Sequence, residues 1–153
     1  MSSGVRIDVE GEEAIQSLLR QLPHTLRSRT LKDSLREAGE LVQGVIKSYA
    51  PVRTGILRDG IELVEGEYGG EPGVVIRPEH HIRHAHFPEY GTAPHDIPMM
   101  VHGKKVVVRH PGAKAQPYFW PGFEATRDEA MDLIEQRLLS AVDALWDRAG
   151  SSE

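Results

Sequence analysis

The sequence predicts an α+β domain, with N-terminal helices and a C-terminal helix packed on a small, mainly antiparallel β-sheet that carries a long loop. Three observations predict it. Apolar residues recur at steps of three and four near both ends of the chain, and short β-branched runs bounded by glycine and proline fill the middle. These runs come in blocks, helix then strand then helix, rather than in alternating βαβ units. With 153 residues, 39% apolar and 27% charged, the chain has the size and composition of one globular domain, expected over 1–153.

Each block has its own justification. In 1–11, Val5, Ile7 and Val9 alternate with polar neighbours and Gly11 follows, which predicts a short N-terminal strand or arm. Residues 12–49 are expected to be helical. A first helix starts near Glu12, places Ala14, Ile15, Leu18, Leu19 and Leu22 on one side, and stops or kinks at Pro23. In the second, Leu31, Leu35, Ala38, Val42, Val45 and Tyr49 repeat over about five turns and end just before Pro51. Gly39 and Gly44 inside it are either simply tolerated or admit a close backbone approach.

Residues 50–122 read as sheet and loops. "GIELVEG" and "GVVIRP", joined through the turn-rich "GEYGGEPG", predict a β-hairpin, and "KKVVVRH" at 104–110 predicts a third strand after a turn at Gly103. Pro51, Thr54 and Gly55 predict a structural turn leading Ile56, Leu57 and Ile61 back to the core. Residues 123–148 form the C-terminal helix, with Thr126 and Glu129 spaced as a capping box and Ala130, Leu133, Ile134, Leu138, Ala141, Val142 and Leu145 on one face. Residues 149–153 fray.

Composition excludes several chemistries. A net charge of −5 argues against a protein whose main task is gripping nucleic-acid phosphates, and the absence of cysteine excludes disulfides and thiolate zinc sites. No apolar run approaches about 18 residues, and "MSSGVRIDVEGEE" lacks the pattern of a signal peptide, so no membrane partner and a cytoplasmic origin are expected. His80, His81, His84, His86 and His95 crowd one stretch. His80 and His84 have helical ligand spacing and His84 and His86 strand spacing, which do not combine, so a polar histidine-rich loop without metal or cofactor is the simpler account. Glu89, His95 and Asp96 could serve acid–base catalysis, yet no nucleophile elbow, Walker loop or dinucleotide fingerprint accompanies them, and no enzyme is expected. Arg29, Lys32 and Arg36 share one face of the second helix, where a solvated face is the ordinary reading and Asp33 and Glu37 weaken an anion site.

Three further stretches are more distinctive. "APVRTGILR" at 50–58 ends a helix and turns; "EYGT" at 89–92 places a glycine turn after an acid and an aromatic; "PYFWP" at 117–121 precedes the last helix. In this order and spacing they resemble the tail-completion, or neck, family of tailed bacteriophages, also called head–tail connector or head–tail joining proteins. The resemblance spans about 10–145. It departs from the family pattern at Trp120, where a basic residue is common, and in "EHHIRHAH", which has no counterpart there.

The resemblance implies a virion structural protein at the head–tail junction, assembled in the host cytoplasm and located at the virion neck or tail end. It implies a ring of the chain with itself, of six copies or else twelve, bound to head-completion, tail-terminator or tail-tube proteins, with DNA passing through without sequence-specific binding. Under that reading "EYGT" has a positional role: Gly91 takes a positive φ, Glu89 accepts from nearby backbone N–H groups and Tyr90 anchors the turn to the core. The implied contact residues are Glu89, Tyr90, Gly91, Thr92, Pro117, Tyr118, Phe119, Trp120 and Pro121. The alternatives are an assembly factor that stays out of the virion and a metal-dependent enzyme using the His80–His95 segment.

Overall fold

A computed structural model describes residues 12–82 and 85–151. The expected strand or arm at 1–11, His84 and the last two residues of the expected frayed tail lie outside the described residues. The element order is α1 (Glu12–Gln21), α2 (His24–Tyr49), α3 (Ile56–Asp59), β1 (Ile61–Tyr68), β2 (Glu71–Pro78), α4 (His86–Tyr90), β3 (His95–Val101), β4 (Lys104–His110) and α5 (Phe119–Gly150). Helices at both ends and two small sheets make the fold α+β, as the periodicities predict. The strands form two separate ribbons, β1–β2 and β3–β4, rather than one sheet.

The chain divides into two compact units, Met1–Val42 with Leu63–Val75 and Thr126–Glu153, and Gln43–Glu62 with Ile76–Ala125. In the first, Leu18 of α1, Leu22 just after it, Ser34, Ala38 and Val42 of α2, and Thr126, Ala130, Ile134, Leu138 and Val142 of α5 are buried. The α2 and α5 sets step strictly by four, which lines each buried row along an i±4 ridge. Ser34 fits such a row because its hydroxyl donates to the Leu31 carbonyl at 2.9 Å, leaving no unpaired polar atom. Gly39 meets the close-approach reading, since a β-carbon there would lie 2.6 Å from Leu63 Cδ1; Gly44 faces open space and has no such role. Neighbouring residues on α2 then tie two other elements. Arg36 Nη2 donates to Glu65 Oε2 of β1 at 3.0 Å, and Arg137 of α5 donates through Nε and Nη2 to Glu37 at 2.8 and 2.5 Å. Arg36 is thereby engaged, and the basic stripe of α2 loses one of its three members.

In the second unit Ile46, Ala50, Ile61, Ala85 and Tyr118 are buried. Ile46 continues the step of four from Val42, so it is fully buried whereas Tyr49, expected on the buried face, is 48% exposed. Gln43 Nε2 donates to the Ile61 carbonyl at 2.8 Å and Arg77 Nε to Glu62 Oε1 at 2.8 Å, fixing the start of β1. Gly122 lets the first turn of α5 approach the backbone of α2. A β-carbon there would sit 2.8 Å from Ile46 Cα.

Three expectations need correction. The C-terminal helix starts at Phe119, not 123, so Thr126 lies buried inside it and no capping box forms with Glu129. The stretch read as loop holds α4 and β3, so His86 and His95 lie in regular elements and do not share one loop with His80 and His81. Strand β3 was hidden by Pro98, which in a two-stranded ribbon occupies a position whose missing N–H costs little. The first hairpin is also longer than its apolar runs, because β1 and β2 continue to a tight turn at Gly69 and Gly70, both at positive φ.

Candidate interaction site

The second unit brings the three distinctive segments together. Helix α4 is five residues long, and the Gly91 N–H closes it on the Phe87 carbonyl at 2.7 Å. Gly91 then adopts φ 72 and ψ −178, a region accessible essentially to glycine, and a β-carbon there would meet the Ala113 carbonyl oxygen at 2.7 Å and Ala115 N at 2.8 Å. This turn sets Thr92 opposite Ala113, and the two exchange backbone hydrogen bonds of 2.9 and 3.0 Å. Gln116 N donates to the Pro88 carbonyl at 2.7 Å. The "EYGT" turn is thus laced to the segment that leads into α5.

Glu89 completes the lacing. Its carboxylate accepts from the backbone N–H groups of Tyr118 at 2.8 Å, Phe119 at 2.9 Å and Trp120 at 3.2 Å. These are donors that a helix start leaves without intrahelical partners, and a negative charge there is favoured by the helix dipole. A residue about thirty positions upstream therefore performs the capping that Thr126 was expected to perform. Pro121 fits the same first turn, where its missing N–H costs nothing.

Tyr118 is 2% exposed, and its hydroxyl donates to the Ala85 carbonyl at 3.1 Å. Burial, and then the nearby Glu89 charge, push its phenol up to about 12. Phe119 packs edge-on against it with ring centroids 6.2 Å apart, and Trp120 lies against Phe123 at 5.6 Å. Of the implied contact residues, Tyr118 therefore points inward and is unavailable as an exposed contact. Tyr90 goes the other way: 80% exposed, it does not anchor the turn to the core. Trp120 is 47% exposed, and it lines with Tyr90, Phe119 and Pro78 a shallow depression of about 270 Å³.

A second, larger groove of about 460 Å³ lies in the same unit and is lined by Pro51, Thr54 and Ile56 of the first segment, with Phe87 and Pro88 just ahead of the second and Ala113 and Gln116 ahead of the third. Its walls are mainly apolar with Arg53 and Lys114 at the lining. Gly55 takes φ 81 ahead of α3.

Among the described residues the histidines are dispersed. His80 and His81 lie in the turn after β2, His86 opens α4, and His95 of β3 faces His110 of β4 with ring centroids 5.0 Å apart. Among the described residues no three His, Cys, Asp or Glu side chains gather as a metal-binding group. Among the same residues no helix is long and apolar enough to cross a membrane.

With "EYGT" laced to "PYFWP" and Tyr90 and Trp120 exposed beside them, the unit carries the turn and aromatic segments on which the resemblance to phage tail-completion proteins rests. Comparison with known proteins agrees at the level of family. A family model described as "Bacteriophage HK97-gp10, putative tail-component" matches residues 13–91, about half of the chain. The chain belongs to this HK97 gp10-like family of bacteriophage tail components. The match takes in the first segment and ends at the Gly91 turn, whereas "PYFWP" lies beyond it. Comparison with curated proteins and with solved structures gives no match.

Proposed function

We propose that this tail component works at the head–tail junction, where it completes the tail end or neck and joins filled heads to tails as a closed ring of six copies, with twelve as the fallback. The observation that carries the reading is the Glu89 clamp. By holding the "EYGT" turn against the start of α5, it fixes Tyr90 and Trp120 as a rigid, exposed aromatic pair in one small depression. Pre-positioned aromatics are the side chains that dominate protein contacts, because they bury much area at small entropic cost. Head-completion, tail-terminator or tail-tube proteins are the partners this surface would meet, and a ring around the tail axis would let DNA pass without reading its sequence.

The test is genetic and visual. Trp120→Ala removes an exposed ring, so the chain stays folded, while a hot-spot loss of about 2 kcal/mol recurs at every contact around the ring. Complementation with this variant is expected to yield separated heads and tails in lysate micrographs. Normal infectious particles, or purified virions in which mass spectrometry finds none of this chain, would count against the reading.

A further inference from the structure

The ribbon β3–β4 is exposed on both faces: every residue of β3 and all but the last of β4. Its register puts Ile97 opposite Val108, Met99 opposite Val106 and Val101 opposite Lys104 on one face. On that face Ile97, Met99, Val101, Val106 and Val108 are each between 37% and 46% exposed. A two-stranded ribbon in water is marginal by itself, and an apolar face of this extent is stabilised by being covered. The ribbon is also basic, with Lys104, Lys105 and Arg109 against Asp96, and Asp96 already pairs with Arg109 at 3.0 Å on the opposite face.

A surface of matching character exists on the same chain. Along α5, positions 128, 132, 135, 139, 143 and 146 step by three and four and so share one helical face. They carry the carboxylates of Asp128, Asp132, Glu135 and Asp143, with Leu139 42% exposed and Trp146 65% exposed among them. Among the described residues Asp132, Glu135 and Asp143 pair with no cation. The dimensions agree as well. Seven paired residues of ribbon span about 20 Å, and eighteen steps of helix span about 27 Å.

We infer that the β3–β4 ribbon of one copy lies along the acidic, part-apolar face of α5 of the next copy, and that this is the repeating contact between copies. Apolar side chains from Ile97 to Val108 cover Leu139 and Trp146, and Lys104 meets the unpaired carboxylates. The contact uses two different surfaces, so it is heterologous, and a heterologous contact is the kind that closes rings. Contact between two ribbons would instead set lysine against lysine. The inference rests on the ring reading proposed above, and adds the surfaces that meet.

The chain lacks cysteine, which makes directed cross-linking clean. Chains carrying Met99→Cys and Leu139→Cys, both at exposed positions, are purified separately, mixed at high concentration and mildly oxidised. The same pair is also co-expressed during infection and oxidised in isolated tails. Expected is a disulfide heterodimer about tenfold over either homodimer, lowered about tenfold by Lys104→Glu and restored when the Leu139→Cys chain also carries Asp132→Lys. A dominant Met99→Cys homodimer, a cross-link to another tail protein, a yield indifferent to both charge changes, or no heterodimer in either setting would overturn the inference. A heterodimer formed by the purified chains, with none of the chain in virions, would leave this contact standing and sink the head–tail reading. A ring in virions without the cross-link would do the reverse.

Discussion

Glu89 holds three backbone donors at once, and the consequences of removing it follow from what those donors lose. Glu89→Ala leaves the Tyr118, Phe119 and Trp120 N–H groups without their charged acceptor and should lower stability to urea by about 2 kcal/mol. Glu89→Gln keeps one acceptor oxygen and should lose less; an alanine variant as stable as the parent would show that the clamp is not energetically important. Gly91 is the second such residue. Gly91→Val forces a β-branched side chain to positive φ and into the Ala113 carbonyl, an expected cost of about 2 kcal/mol or more by urea unfolding. Tyr118 gives a pH signature. Its phenol is raised from 10.0 to about 12 in the fold, so the associated stability is complete below pH 10 and is lost as pH rises through about 12. A phenolate absorbance titration should show a component near that value which Tyr118→Phe removes, and a titration unchanged by the substitution would refute the assignment. The positive φ of Gly91 and the accepting role of Glu89 were legible in the sequence, because glycine after an acid and an aromatic is a local signal. The identity of the donors was not, since they lie about thirty residues away and only tertiary packing brings them near. The orientations of Tyr90 and Tyr118 were unreadable for a similar reason: two aromatics in similar proline- and glycine-rich surroundings differ in burial only through what packs beside them.

Helices α2 and α5 show what periodicity conveys and what it omits. Their rows of buried small and branched residues were largely visible, Ala38, Val42, Ala130, Ile134, Leu138 and Val142 among them. The start of α5 was misplaced because Thr126 and Glu129 imitate a cap, whereas Pro121 and a distant carboxylate mark the real one. Strand β3 escaped notice because a proline sits mid-strand, a penalty that applies to inner strands and not to a two-stranded ribbon. Packing at the helix start also gives an element-scale prediction. Alanine is ordinarily worth about 1 kcal/mol over glycine in a helix, yet Gly122→Ala should destabilise the protein, because the new methyl would press on Ile46 backbone atoms at 2.8 Å. A rise in thermal midpoint would contradict the close approach. The arginine ties of α2 act on the acid side. Glu37 and Glu65 are held below their ordinary 4.5, chiefly by hydrogen bonds from Arg137 and Arg36, so the stability they add is present above that pH and fades as pH falls further. Both pairs are exposed, so the effect should shrink with salt. Arg36→Gln with Arg137→Gln should flatten the dependence of stability on pH in the acid range.

At the scale of the whole molecule, charge is distributed unevenly. In the first compact unit nine lysines and arginines accompany seventeen carboxylates, whereas in the second nine accompany six, and seven of the eight histidines fall there. A net charge of −5 hides this asymmetry, and it was invisible in composition because the units interleave along the chain. An acidic surface and a basic surface on one chain favour head-to-tail association, the geometry a ring requires. The family assignment as a tail component, the outward aromatic pair and this polarity support one account: a chain that joins copies of itself around the tail axis and offers Tyr90 and Trp120 to what lies above or below. The most direct measurement is a cryo-EM map of the neck of the intact particle. The account predicts a closed ring of six copies of this chain between head and tail, each contacting the next. Neck density without this chain, or the chain bound there as isolated copies, would contradict it.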